Sequence, residues 1–385
     1  MLRPLSLAAM LVAGLGLLAA TWPGAADIPC GEAPDILDDW DVATPASVGF
    51  DPAALCAIGA RLADPNAPNL HSLLVIRHGR LVYETYAEGR DERWGRDIGV
   101  IAYDARRLHD MRSVTKSVVS LLFGIAFERN AIKDLDAPAI GFFPEYADLA
   151  TPDINRITLK HLLTMTPGLA WSEGGPWFGP TNDERLMYEA TDPYRYVFTR
   201  RPIYAPGTRW EYSSGATTLL GAVLQKAIGR QLPDFAREAL FEPLGMREVE
   251  WITLGNGDAA AGGGLRLKPR DMAKIGQLVL AGGIWQGRRV VSEEWIRQSI
   301  EPRFEGWLPM RYGYQWWVGG SKVGDRSVPW IAAIGLGGQR LFIVPSLDLV
   351  VASTAGLYRE ADQGYYARAI LEDDVIPAIR DAGAR

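Results

Sequence analysis

The chain has 385 residues, 48% of them hydrophobic and 22% charged, and a formal net charge of -6 at neutral pH. That composition suits a globular protein with room for a sizeable core, organised as one large domain or two intimately packed ones. The negative balance and the lack of any long Lys/Arg run give no attraction for phosphate backbones, which excludes nucleic acid as a partner.

The chain opens on Arg3, an apolar stretch from Leu5 to Ala20, and the small residues Gly24-Ala25-Ala26. This is the pattern of an export signal cleaved near Asp27, and it predicts a periplasmic or secreted protein. A retained anchor is the alternative, although Gly14 and Gly16 interrupt a short stretch. No later segment is apolar enough to cross a bilayer, so no stable membrane insertion is expected after cleavage. Cys30 and Cys56 are the only cysteines, and both one disulfide and two separate thiols are open.

Asp51 to Leu62 reads as a short helix, with Asp51 as N-cap and Pro52 in the first position. A hairpin follows, Leu73 to Arg77 and Leu81 to Tyr86, turned at His78-Gly79-Arg80. The middle of the chain spaces its apolar residues three and four apart. That predicts helices at Val114 to Asn130, Leu159 to Met165, Asp183 to Tyr188, Thr217 to Ile228 and Pro233 to Phe241. Pro269 to Ala281 and Ser292 to Ile300 continue the helical pattern. The last third returns to strands at Tyr314 to Val318, Pro329 to Ile334, Gln339 to Val344 and Leu347 to Ser353, before a closing helix from Gln363 to Asp381. Strands at both ends with helices between them predict an α+β fold. Its antiparallel β-sheet is flanked by helices and packed against a mainly helical subdomain of about residues 111–250, within one unit of residues 27–385. The cleft between the two parts is the expected site.

Ser113-Val114-Thr115-Lys116 opens the apolar helix. Three residues apart on a helix, the serine and lysine side chains share a face and can meet. A serine hydroxyl needs a base. The helix N-terminus and burial both favour an uncharged Lys116, and the N–H of Ser113 is a candidate oxyanion donor. Tyr212, on a turn ahead of the next long helix, is placed to share a proton with them. Gly335-Leu336-Gly337-Gly338-Gln339 joins two strands, and a glycine N–H there, at Gly337 or Gly338, is a second oxyanion candidate. Trp171, Trp177, Trp316 and Trp317 are candidate pocket walls. His71, His78, His109 and His161 show no metal-ligand spacing, and no Gly-x-Ser-x-Gly, His-Glu-x-x-His or Walker sequence occurs. No metal or cofactor is expected.

Five segments occur in one order: Leu108 to Ser117, Thr158 to Gly168, Tyr212-Ser213-Ser214-Gly215, Phe241 to Met246, and the Gly-Gly-Gln run ending at Gln339. Together they resemble the serine β-lactamase and penicillin-binding-protein superfamily, above all class C β-lactamases, their esterase relatives and 6-aminohexanoate-dimer hydrolases. The resemblance implies a helical subdomain against an antiparallel sheet. It also implies an acylated Ser113, with Lys116 and Tyr212 moving protons and the third motif, Gly335 onward, contributing to oxyanion binding. Two departures stand out. Ser214 occupies the place where β-lactamases carry Asn, and Gly335-Leu336-Gly337 replaces a Lys-Thr-Gly-type motif that holds a substrate carboxylate. Both point toward a small-molecule ester or amide rather than a penicillin. A β-lactamase or D-Ala-D-Ala carboxypeptidase, and a non-catalytic binding module, are the competing readings.

Overall fold

The computed structural model describes residues 33–380 apart from 63, 65 and 175–178. The stretch read as an export signal, Cys30 and hence the pairing of the two cysteines, and Trp177 lie outside the described residues. Eight antiparallel strands form the main sheet. In spatial order they are Phe304–Glu305, Arg311–Tyr312, Trp317–Val323, Arg326–Gly335, Gln339–Val344, Leu349–Ala355, Leu70–Arg77 and Arg80–Tyr86. The N-terminal hairpin thus completes a sheet built mostly from the C-terminal third. Its turn puts His78 at φ 53° and Gly79 at φ 73°, the paired left-handed conformation that lets a two-residue turn follow the strand twist.

Side chains alternate across each strand, and both faces are covered. Leu74, Ile76, Leu341, Ile343 and Val350 join one core, while Leu73, Val75, Phe342, Val344 and Val351 join the other. The helix Pro52–Leu62 and the C-terminal helical segment from Tyr365 cover the second face. On the first face lies the helix Pro269–Leu280, so close that a Cβ on Gly276 would stand 2.7 Å from Val350. The helix Val114–Glu128 is buried over almost its whole length, from Val114 to Ala126. Beyond its polar first turns it is largely apolar, because it runs between the sheet and the helices of residues 139–244.

Three predictions shift. The strand expected at Tyr314 begins at Trp317, because Gln315 takes φ 64° and breaks the extended run. The closing helix is cut to Tyr365–Ala369 followed by a wider π-type turn, Ile370–Val375. A hairpin of Glu88–Arg93 and Arg96–Ala102 adds two strands that the sequence reading does not place: the first is charged, and the apolar Ile98 and Val100 of the second are exposed.

Candidate active site

Arg112 sits at φ 48°, a costly conformation for a non-glycine residue, and turns the chain sharply into the helix headed by Ser113. Thr115 fixes that turn by donating its hydroxyl to the Arg112 carbonyl at 2.6 Å and accepting the Leu265 N–H at 3.2 Å. The Ser113 side chain makes no capping bond to its own helix, so its hydroxyl is available to the lysine. Lys116 Nζ stands 2.9 Å from Ser113 Oγ, 2.9 Å from Ser214 Oγ and 2.5 Å from the Gly262 carbonyl. Lys116 is 1% exposed. Burial lowers its pKa, and Glu184 and Glu173 pull the other way.

Those two carboxylates are part of the site that the sequence did not reveal. Ser214 Oγ lies 3.0 Å from Glu173 Oε2 and 2.8 Å from Glu184 Oε1, while the Ser214 N–H donates to Glu173 Oε1 at 2.5 Å. Trp171 Nε1 donates to the same oxygen at 2.6 Å, and Tyr188 donates to Glu184 at 3.2 Å. A hydroxyl has one proton, so Ser214 can donate to only one carboxylate; the other contact requires a carboxyl proton. Glu173 is the natural holder. Burial and then the Glu184 charge push it up to about 7. The result is a continuous row of contacts from Ser113 through Lys116 and Ser214 to a pair of facing carboxyl groups.

Tyr212 closes the other side. Its phenol is in hydrogen-bonding contact with Ser113, and Lys116 Nζ lies 5.0 Å above its ring centre. Burial, followed by the nearby Glu173 charge, raises its pKa well above 10. It therefore stays a neutral phenol, able to donate a proton. Against Tyr212 packs an aromatic wall: Trp307 at 4.8 Å and Trp317 at 6.0 Å between ring centres, with Trp210 and Tyr312 behind. Trp307 is 50% exposed and Leu308 80%, so this wall ends in an open apolar lip.

The glycine segment separates into distinct roles. Gly335 ends its strand against the backbone leading to Ser113; a Cβ there would stand 2.4 Å from the Met111 carbonyl oxygen. Gly337 is a correction. Its N–H already donates to the Gln363 side chain, which leaves it no hydrogen to offer an oxyanion. Gly338, at φ 93°, packs so that a Cβ on it would stand 2.9 Å from Ala355. Arg340, buried, donates to the Gly335 carbonyl at 2.7 Å and braces the strand end. Burial brings its pKa down to about 10. Trp316 is a second correction: it is wholly buried in the core facing away from Tyr212, whereas its neighbour Trp317 forms the wall. Trp171 proves to be a positioner of Glu173 rather than an open surface.

The Thr158 to Gly168 segment reaches the site through Gln315. Its amide donates to the Leu162 and Leu163 carbonyls at 3.0 and 2.9 Å, and its backbone carbonyl accepts the Ser117 hydroxyl of the nucleophile helix at 2.7 Å. Phe241 to Met246 forms a corner of the helical region instead, closed by Gly245 at φ 67°.

Comparison with known proteins matches the family described as Beta-lactamase to residues 67–373. The chain is 25% identical to a 6-aminohexanoate-dimer hydrolase of Paenarthrobacter ureafaciens over 302 residues, covering 73% of this chain and 71% of that one. It is 30% identical to Esterase EstB of Burkholderia gladioli over 196 residues, covering 47% of this chain and 46% of the esterase. Among solved structures, EstCE1, a hydrolase with promiscuous acyltransferase activity, shares the fold. It aligns with a TM-score of 0.65 and 18% identity over 86% of this chain and 97% of that one.

Proposed function

The chain belongs to the Beta-lactamase family and is a serine hydrolase of ester or amide bonds, and from that premise we propose that it works through an acyl-enzyme on Ser113. The observation that carries this assignment is the buried Lys116 amine 2.9 Å from the Ser113 hydroxyl. Lys116 takes the Ser113 proton as Oγ attacks the substrate carbonyl. The developing oxyanion is met by the Ser113 N–H and by backbone at Gly335. Tyr212 delivers its proton to the departing alcohol or amine and recovers one from Lys116, which, neutral again, takes a proton from water as that water attacks the acyl-enzyme and releases the acid.

The substrate is an uncharged or apolar ester or a linear amide. The open aromatic lip at Trp307 offers apolar contact, Ser214 stands where a penicillin-recognising amide would be, and Arg340 is engaged with the Gly335 carbonyl rather than presented to a substrate carboxylate. A fluorophosphonate should add one adduct, at Ser113, with none on Ser113→Ala; absence of the adduct on folded wild type rejects the scheme. Hydrolysis of graded esters and amide dimers, beside penicillin labelling, separates this reading from a β-lactamase or D-Ala-D-Ala carboxypeptidase. Ser113→Ala with function unchanged would instead support a binding module. The N-terminal pattern supports export to the periplasm or medium; intact mass of the exported protein should place its first residue near Asp27.

A further inference from the structure

Away from the acid pair, His71, Asp91 and His109 converge in the interior, all buried, with one ligand atom from each lying within 4.8 Å of the others. They come from three elements: the sheet strand Leu70–Arg77, the charged hairpin strand Glu88–Arg93, and the short strand His109–Asp110 that leads into the nucleophile. The outer atoms of each side chain are already committed. His109 Nδ1 is 3.0 Å from the Asp110 carbonyl, so it must carry its hydrogen. His71 Nε2 is 3.1 Å from Asn69 Oδ1, and that amide's orientation is fixed because its nitrogen faces the Arg90 and Gly356 carbonyls. His71 Nε2 must therefore also carry hydrogen. Asp91 Oδ2 accepts the Tyr103 hydroxyl.

Neutral imidazoles so arranged present two lone pairs, His71 Nδ1 and His109 Nε2, to each other at 2.9 Å. Without a cation between them that contact is repulsive. A shared proton would satisfy the two nitrogens, but Asp91 Oδ1, 3.7 Å from His109 Nε2, would still make no hydrogen bond. The buried Tyr358 hydroxyl interacts with Asp91, yet neither it nor Asp91 Oδ1 reaches hydrogen-bond geometry. One divalent ion answers all three inward atoms. Zn–N bonds of about 2.0–2.1 Å place tetrahedral ligand atoms roughly 3.3 Å apart, and the observed 2.9 and 3.7 Å straddle that value. The outer hydrogen bonds are those that orient metal-bound histidine and carboxylate. Tyr103 stacks on His71 at 4.5 Å between ring centres, and a Cβ on Gly89 or Gly356 would strike the His71 ring at 2.7–2.8 Å. The cage is tightly built.

We propose that His71 Nδ1, His109 Nε2 and Asp91 Oδ1 bind a divalent first-row transition ion, zinc by donor set, as a structural clamp tying the charged hairpin to the strand that delivers Ser113. Ligands of this kind, two imidazoles and one carboxylate, suit zinc rather than calcium or magnesium. The site's ligand His109 lies four residues upstream of Ser113 in the chain. Its role is positional.

The test is metal content on untagged protein, by mass spectrometric elemental analysis after incubation with excess zinc and desalting. One equivalent per chain is expected, and at least tenfold less in Asp91→Asn and in His109→Gln. Cobalt should give the visible bands of a tetrahedral site on wild type, a readout that stands even where a variant fails to fold. A wild type that retains no ion and shows no cobalt bands overturns the proposal, as does undiminished binding in both folded variants. Fluorophosphonate labelling of Ser113 in the same samples reports separately on the hydrolase assignment.

Discussion

Replacing Glu173 with Gln tests this row of contacts most directly, because it removes one charge while keeping the shape and hydrogen-bonding capacity of the side chain. Lys116 Nζ and Glu173 Oε2 each lie within 3.0 Å of Ser214 Oγ, so they are at most about 6 Å apart. At an effective dielectric near 20, a charge pair at that distance is worth about 3 kcal/mol, or about 2 pH units of bias toward a protonated lysine. Because Glu173 itself ionises at about 7, the full bias applies only above neutrality. Glu173→Gln should therefore move the acidic limb of kcat/KM, which reports the free enzyme's base, about 1–2 units toward lower pH. The alkaline plateau should fall less than tenfold. Stability gives a second readout. A carboxyl whose folded pKa is raised to about 7 leaves stability complete below the ordinary carboxyl range and erodes it as pH climbs to 7. The Tm of the variant relative to wild type should accordingly grow between pH 5 and pH 8. An acidic limb that stays in place, or moves upward, would show that Glu173 does not share charge with Lys116.

Gly335→Ala would put a methyl 2.4 Å from the Met111 carbonyl and push the strand end off the nucleophile turn. A loss of about 100-fold in kcat is expected with unchanged circular dichroism, and slower fluorophosphonate labelling should accompany it. Trp307→Ala strips the exposed face of the aromatic wall; kcat/KM should fall about tenfold for long-chain esters and little for acetate esters, measured across a chain-length series. Glu84→Gln removes the charge facing Arg270, where both side chains are 1% exposed and the contacts are 2.8 and 2.6 Å. With Asp38 left as the counter-charge among the described residues, a cost of about 3 kcal/mol is expected in urea unfolding.

The nucleophile and its lysine were legible because their meeting is local: three residues on a helix share a face wherever the helix goes. Tyr212 was legible through its place directly before the next helix, which begins at Ser214 with Ser213 capping Ala216. The Trp316 and Trp317 assignment could not be made the same way. Trp316 lies just before the strand that begins at Trp317 and joins the opposite core, and where that strand starts is set by the left-handed Gln315.

Glu173 and Asp91 show why the rest stayed hidden. Each lies in a stretch that reads as surface: Glu173 just ahead of a Gly/Pro-rich connection, Asp91 within Glu88-Gly89-Arg90-Asp91-Glu92-Arg93. Their partners arrive from far along the chain, Ser214 and Lys116 for the first, His71 and His109 for the second. A buried carboxylate is too costly to persist without such a partner, so each marks a place where the fold brings a compensating cation or proton to it. At Ser214 the structure joins cation and carboxyl: the hydroxyl accepts from Lys116 at 2.9 Å and faces Glu173 and Glu184 at 3.0 and 2.8 Å, so a group that can both accept and donate links the buried amine to the acid pair.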